Sequence, residues 1–213
     1  MHDAPDLNLD ATGLRIGLVT SLYHEDVTNK LREGAVSAFV ESGGDPDDLY
    51  QVVAAGAFEL IAIADALARR DLDAVVVLGC VIRGETRHDE YICSTVTKMI
   101  AQISFEHEIP IGLGLLTVLA LDQGHERAGG EKGNKGEEAM SAAISSALSI
   151  RMIEEDLPGG MGDLEDASAE EEPDEDEYEY VEVEVDGDED GDEDGDEDGD
   201  EDGVEYEYEE ESP

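Results

Sequence analysis

The sequence predicts an α/β fold: a three-layer α/β/α sandwich around a central four-stranded parallel sheet, followed by a disordered acidic tail. Four short apolar runs of β type alternate with segments whose apolar residues recur every three or four positions. This order is typical of parallel sheets with helices on both faces. Charge divides the chain as well. Of the 58 acidic residues, 27 lie in residues 1–157 together with all 12 basic residues, and 31 lie in residues 158–213.

The strands are predicted from the apolar runs. Ala74–Gly79 reads AVVVLG and is continuously apolar, as expected of a strand that is covered on both faces. The other three strands are predicted at Leu14–Thr20, Asp48–Val53 and Ile109–Leu116.

Four helices are predicted from apolar residues at three- and four-residue spacing, because that spacing places them on one helix face. The last helix follows a glycine-rich stretch and is predicted to end at about Glu154. The four apolar faces consist of Val27, Leu31, Ala35 and Phe39; of Leu60, Ile63, Ala64 and Leu67; of Ile92, Val96, Met99, Ile100 and Ile103; and of Met140, Ile144, Ala147, Leu148 and Ile150.

Three parts of the chain are expected: an N-terminal extension (1–12), one domain (13–156) and the acidic tail (157–213). The tail has too little apolar content and too much like charge to offset the entropy of ordering. Its GDED repeat matches a calcium-loop pattern in four overlapping registers, but a match that recurs with the repeat and lacks flanking helices does not indicate an EF-hand. A solubilising brush, a tether for a basic protein and low complexity without selected function remain open.

Several classes of protein are disfavoured by composition. No basic leader precedes an apolar stretch, and no apolar run approaches the roughly 20 residues of a membrane span, so a soluble cytoplasmic protein is expected. A formal charge of −46 makes nucleic acid a poor partner because phosphate would be repelled. Cys80 and Cys93 lie in apolar segments, which favours buried thiols over a disulfide or a zinc site.

Candidate functional residues lie where the strands end, because ligands of open parallel sheets bind beyond the carboxyl ends of the strands. In GAFE (56–59), Gly56 permits a close turn before free helix-start amides. Phe58 and Glu59 then offer an aromatic face and a hydroxyl acceptor. The alternative is that Phe58 is a core residue and Glu59 a solvated acid in the first turn of a helix.

The loop after the third strand, RGETRH (83–88), combines cations with a proton carrier. Gly84 frees the turn, and Glu85 and Thr86 are expected to begin a helix whose amides suit an anion. His88 is expected one turn into that helix and can transfer protons near neutral pH, although a lone histidine is also often structural. Arg127 and Lys135 flank a glycine-rich turn further on, either as site cations or as solvated charges on a flexible connection.

Four motifs, in this order and spacing, resemble those of the lumazine synthase family over about residues 13–153. They are GAFE at 56–59, LGCVIRGET with His88 at 78–88, ERAG at 126–129 and GNKG at 133–136. The resemblance implies a flavodoxin-like fold and a transferase that needs neither metal nor organic cofactor. The implied reaction condenses 5-amino-6-(D-ribitylamino)uracil with 3,4-dihydroxy-2-butanone 4-phosphate and releases phosphate and water. Its product is 6,7-dimethyl-8-ribityllumazine, and the reaction is the penultimate step of riboflavin biosynthesis.

The resemblance also implies the site residues. His88 is implied as the proton carrier, and Arg127 as the counter-charge of the phosphate. Leu113 stands where the family commonly has an aromatic ring, and Cys80 where a threonine is usual. The full set of implied substrate contacts is Tyr23 stacking on the pyrimidine; Ala57, Phe58 and Glu59 at the ribityl chain; Cys80, Val81 and Ile82 at the uracil; Glu85, Thr86 and Arg127 at the phosphate; and Leu113 and Lys135 in the same pocket.

Assembly is implied in the same way. The family builds pentamers with each active site between neighbouring subunits, and many members form hollow shells of sixty subunits. The short turn at 129–133 favours the 60-mer, and residues 1–12 are candidates for an added edge strand on a neighbour. Two rival interpretations remain. One is a catalytically idle shell or scaffold protein. The other is a flavodoxin-like nucleotide-binding module, which is disfavoured because the first strand ends in TSLYHED without a phosphate loop.

Overall fold

The computed structural model describes residues 9–155, so the acidic tail and most of the N-terminal extension lie outside the described residues. The central sheet is four-stranded and parallel, with the order β2-β1-β3-β4. This confirms the predicted fold class. The strands are β1 (Ile16–Ser21), β2 (Leu49–Ala54), β3 (Ala74–Ile82) and β4 (Ile111–Val118).

The four predicted helices are present. A short helix and a short β-hairpin, neither of them predicted, lie between β4 and the last helix. The helices are α1 (Glu25–Glu41), α2 (Leu60–Ala68), α3 (His88–Glu106), α4 (Leu121–Glu126) and α5 (Lys135–Glu154). The sequence did not predict the six-residue α4, because so short a helix shows no periodicity. The glycine-rich stretch before α5 was expected to be a plain turn, but it forms a hairpin of β5 (Ala128–Gly130) and β6 (Gly133–Asn134).

Two apolar layers hold the helices to the sheet. Strand β3 supplies both, because its alternate side chains point to opposite faces. Val76 and Leu78 pack with α1 and α5 on one face, and Val75 and Val77 pack with α2 and α3 on the other. Seven of the nine residues of β3 are buried, as the continuously apolar run predicted. Within residues 9–155, no helix has the length and apolarity that crossing a bilayer requires.

Helices α1 and α5 approach each other at Gly136, in the first turn of α5. A Cβ atom placed on Gly136 would overlap the backbone carbonyl of Leu31 in α1. Only glycine permits this approach, and the approach fixes where α5 begins. Since Lys135 is the first residue of α5, the contact also determines the position of that lysine.

The strand order determines where the binding crevice lies. The chain passes from β1 to β2 in one direction across the sheet and then returns past β1 to β3 and β4. The ends of β1 and β3 therefore form the switch point at which open α/β sheets bind ligands. The loops at residues 22–24, 55–59 and 83–87 all follow the carboxyl ends of their strands and therefore lie on the same side as this switch point.

Candidate active site

The first group of candidate residues meets at the ends of β1 and β2. A Cβ atom on Gly56 would lie 2.9 Å from Oε2 of Glu59 and 3.3 Å from Cδ2 of Tyr23, so the carboxylate and the ring converge on this buried glycine. The side chains of Tyr23 and Phe58 are 64% and 52% exposed. Phe58 is therefore not a core residue, and the alternative interpretation of GAFE was wrong on this point. The group offers two open aromatic faces beside one hydroxyl acceptor.

His24, which follows Tyr23, has an unusual backbone conformation. Its backbone has a φ of 57°, which is unusual for a residue other than glycine. Its carbonyl accepts hydrogen bonds from the amides of Val27 and Thr28, both at 2.9 Å. The His24 ring stands edge-on to Tyr23, with centroids 6.4 Å apart. Sequence reasoning missed this residue because a left-handed backbone at histidine leaves no pattern in the sequence.

The second group is the loop after β3, and here the structure corrects the expected helix start. Helix α3 begins at His88, so Glu85 and Thr86 lie in the preceding loop and His88 is not one turn inside the helix. The loop is held by the amide of Arg83, which donates to the carbonyl of Val118 at 2.8 Å. Within residues 9–155, the amides of 84–88 donate to no other backbone group. The loop therefore presents free donors beside an exposed imidazole.

The third group lies along β4. Leu113, Arg127 and Lys135 line one cavity of about 430 Å³. The Arg127 side chain is 21% exposed, and its Nη1 donates to the carbonyl of Gln123 at 3.0 Å. The guanidinium is therefore oriented in advance and keeps its other donors for a ligand.

Glu138 also lines this cavity and was not among the predicted residues. Its two carboxylate oxygens each accept a hydrogen bond from Nζ of Lys135 at 2.6 Å. The signal that could have identified it is the three-residue spacing from Lys135, which brings side chains together on a helix. The pair holds the lysine ammonium at the cavity wall.

A second cavity of about 220 Å³ lies between the end of β3, the start of α3 and β4. Val81 and Arg83 line it, and Thr117 lines both cavities. The uracil-pocket candidate Val81 and its neighbour Ile82 are half-buried. The end of β4 therefore separates the loop of His88 from the cavity of Arg127.

Cys80 differs from its neighbours because its side chain points into the core. The thiol is only 2% exposed and lies in the layer under α1 and α5. Burial, followed by the nearby charge of Asp26, raises the pKa of Cys80 to about 11. Cys93 is only partly buried, so the expectation of two buried thiols was wrong for this residue, although its partial burial still raises its pKa. Both groups are therefore thiols rather than thiolates at neutral pH, and residue 80 can face a ligand only through its backbone.

The first and third groups lie at opposite edges of the sheet. Strands β2 and β4 are separated by β1 and β3, which amounts to about 14 Å at the usual strand spacing. Exposed apolar side chains accompany both edges: Tyr50 and Val53 on β2, and Leu119 and Leu121 after β4. Each edge of the sheet therefore exposes some apolar side chains beside its candidate residues.

Comparisons with known proteins agree with these observations. The family model described as 6,7-dimethyl-8-ribityllumazine synthase matches residues 13–151. A protein of Parabacteroides distasonis named 6,7-dimethyl-8-ribityllumazine synthase is 43% identical over 136 residues, which are 63% of this chain and 85% of that protein. The matched region contains all four motifs and all three groups of candidate residues.

Proposed function

The chain belongs to the 6,7-dimethyl-8-ribityllumazine synthase family, and from this we infer that it catalyses that reaction. It is a transferase that condenses 5-amino-6-(D-ribitylamino)uracil with 3,4-dihydroxy-2-butanone 4-phosphate in riboflavin biosynthesis. The observation that carries this conclusion is the family match over residues 13–151. Incubation of the purified protein with both substrates tests it. Lumazine absorbance is expected to appear, and its absence would leave the idle shell or scaffold as the better interpretation.

We propose that two neighbouring copies complete each active site. Family membership implies oligomeric assembly and two small-molecule substrates. Tyr23 and Glu59 lie at one edge of the sheet, and Arg127 and Lys135 lie near the other, with exposed apolar side chains beside both. When the β2 edge of one copy faces the β4 edge of the next, the two half-sites enclose one ligand.

The half-site at β1 and β2 is proposed to bind the ribitylaminouracil. Tyr23 stacks on the pyrimidine, because its aromatic face is open at the half-site and aromatic rings favour stacking. Glu59 accepts hydrogen bonds from ribityl hydroxyls, with Ala57 and Phe58 beside the chain. The end of β3, at residues 80–82, faces the uracil through its backbone and through the half-buried Val81 and Ile82. Leu113 of the neighbouring copy packs on this ligand with less stacking surface than an aromatic ring would provide.

The phosphate of the second substrate is proposed to bind between the loop of residues 84–88 and Arg127. The free amides at Glu85 and Thr86 are donors of the kind that binds phosphate. A guanidinium binds phosphate through two parallel hydrogen bonds, and that of Arg127 is already oriented by the Gln123 carbonyl. Lys135 adds an ammonium donor at the cavity wall, and the Glu138 carboxylate paired with it offsets its charge. This clamp places the ketone against the amine.

His88 is proposed as the proton carrier. Imine formation, phosphate elimination and ring closure each require proton transfers, and one imidazole can act as acid in one step and as base in the next. The ring is exposed at the start of α3, beside the free amides of the phosphate loop. In this proposal the imidazole of His88 acts next to the leaving phosphate.

His88→Ala is expected to lower kcat by about 10–100-fold, less than many acid–base losses, because positioning supplies most of the acceleration. The pH dependence of kcat should change at the same time, because the imidazole no longer exchanges protons with the substrates. Steady-state kinetics across pH measures both effects. Arg69→Ala is the control, because it removes only an exposed ion pair with Asp65 at the end of α2 and should leave kcat unchanged. Full activity with an unaltered pH profile in His88→Ala would refute the role.

The assembly is proposed to be a pentamer that builds a 60-mer, with the tail acting as a charged brush. A shell of 60 chains with −31 per tail would carry about −1,860 charges, which oppose close packing unless salt screens them. A basic protein bound by the tail is the competing use.

The division into residues 1–12, 13–156 and 157–213 belongs to the same proposal. So does a cytoplasmic location, since both cysteines are free thiols, as is usual in reducing compartments.

Removal of residues 158–213 is expected to make assembly less dependent on salt. Light scattering of the full-length and shortened proteins across ionic strength measures this dependence. The full-length protein should require higher salt to reach the same particle mass, because its tails repel one another at low salt. Identical assembly curves would leave the brush without support. Salt-sensitive capture of a basic protein by the full-length form alone would favour the tether.

A further inference from the structure

Two side-chain contacts attach the segment that carries Arg127 to helix α1. Nε2 of His125 lies 3.0 Å from Oδ2 of Asp26 in the first turn of α1. Nδ2 of Asn134, on the other side of Arg127, donates to the carbonyl of Lys30 at 2.9 Å. Helix α1 begins two residues after Tyr23. The start of α1 is therefore the physical link between the two halves of the proposed site in one chain.

The Asp26–His125 contact selects one arrangement of the imidazole. Nδ1 of His125 is buried and has no hydrogen-bond partner within residues 9–155. A hydrogen on Nδ1 would be a buried donor without an acceptor, which is costly. A hydrogen on Nε2 instead points at the Asp26 carboxylate. The carboxylate therefore fixes both the tautomer and the orientation of the ring, as it does for other histidines of defined tautomer.

The orientation of His125 matters because α4 is too short to hold itself in place. Isolated helices below about 12–15 residues are marginal in water, and α4 has six. Arg127 is the C-cap of this helix: its amide donates to Gly124 at 3.1 Å, and its Nη1 donates to Gln123 at 3.0 Å. The guanidinium is thus anchored to the backbone of α4. Any rotation of α4 moves the guanidinium with it.

We propose that Asp26 and His125 are positioning residues that hold α4 so that Arg127 meets the phosphate. The proposal rests on the proposed function of Arg127 as the phosphate counter-charge. Loss of the contact should raise the KM for the phosphorylated ketone by about tenfold, which is the order of effect of losing one hydrogen bond to a charged group. The KM for the pyrimidine and the kcat should change less, because the Tyr23 side and His88 are untouched.

The test compares His125→Leu, Asp26→Ala and Asp26→Asn in the full-length protein, with each substrate varied in turn. Asp26→Asn keeps an oxygen that accepts from Nε2 and should retain a KM near that of the unaltered protein. His107→Leu is the matched control. It removes a second His–Asp contact, with Nε2 of His107 2.9 Å from Oδ1 of Asp65, that joins α2 to the end of α3 away from α4. It should leave both KM values unchanged.

Arg127→Ala measured in parallel separates the possible failures. An unchanged KM for the ketone in Arg127→Ala would overturn both the proposed role of Arg127 and this inference. If the KM for the ketone rises in Arg127→Ala but is unchanged in His125→Leu and Asp26→Ala, the inference alone is overturned. The inference is also overturned if His107→Leu raises this KM as much as His125→Leu does. Should His125→Leu fail to assemble, the difference between Asp26→Ala and Asp26→Asn decides the question.

Discussion

Arg127→Ala should reduce kcat/KM by about 100-fold or more, the largest loss expected from any single side chain of the site. The guanidinium lines the β4 cavity and is already oriented by the 3.0 Å hydrogen bond that its Nη1 donates to the carbonyl of Gln123. Alanine removes both the charge and the paired hydrogen bonds to phosphate. Since the phosphate clamp also places the ketone against the amine, its loss affects the chemical step as well as binding.

The measurement is steady-state kinetics with the phosphorylated ketone varied at saturating pyrimidine. Arg127→Lys should give an intermediate loss, because lysine keeps the charge without the planar pair of donors. Lys132→Ala is the control from the same segment, since Lys132 contacts Glu126 at 2.7 Å and lies outside the cavity. Full activity of Arg127→Ala would refute the phosphate assignment.

Gly136→Ala should destabilise the protein by about 1–3 kcal/mol or more, because added volume at a close-packed contact forces backbone shifts. The new Cβ would overlap the Leu31 carbonyl, and neither helix can yield without moving its backbone. The shift would also displace Lys135 at the start of α5. Urea or thermal unfolding at equal protein concentration measures the loss, since the stability of an oligomer depends on concentration.

Gly84→Ala is the matched control for that experiment. A Cβ on Gly84 would have its nearest neighbour at 3.9 Å, the amide nitrogen of Thr86, so unfolding should be unchanged. Coincident unfolding curves for Gly136→Ala and the unaltered protein would show that the α1–α5 contact yields more easily than the geometry implies.

The fold could be predicted because the long elements carry periodic signals. The continuous apolar run at Ala74–Gly79 corresponds to β3. The four apolar stripes correspond to α1, α2, α3 and α5. Elements shorter than two helical turns escaped prediction, as α4 did. The start of α3 was placed too early, because the free amides after Gly84 belong to a loop and the helical hydrogen bonds begin only at His88.

The site could be predicted only in its parts. The motifs indicated Glu59, His88 and Arg127 as candidate site residues. No pattern in the sequence shows, however, that the strand order puts Glu59 and Arg127 near opposite edges of the sheet. The partners that orient the site were missed for a similar reason. The Asp26–His125 contact depends on packing between segments that are distant in the chain, and periodicity carries no information about it. Glu138 differs, because its three-residue spacing from Lys135 could have identified it.

The most direct test of the shared site is complementation between His88→Ala and Arg127→Ala. The two variants are co-expressed, and mixed assemblies are verified by mass. Each mixed interface that joins an intact His88 of one copy to an intact Arg127 of the next should be active. Random mixing at a head-to-tail interface therefore restores about a quarter of the unaltered activity. If instead the mixed assemblies show only the mean activity of the two variants, His88 and Arg127 act within one chain and the shared site is contradicted.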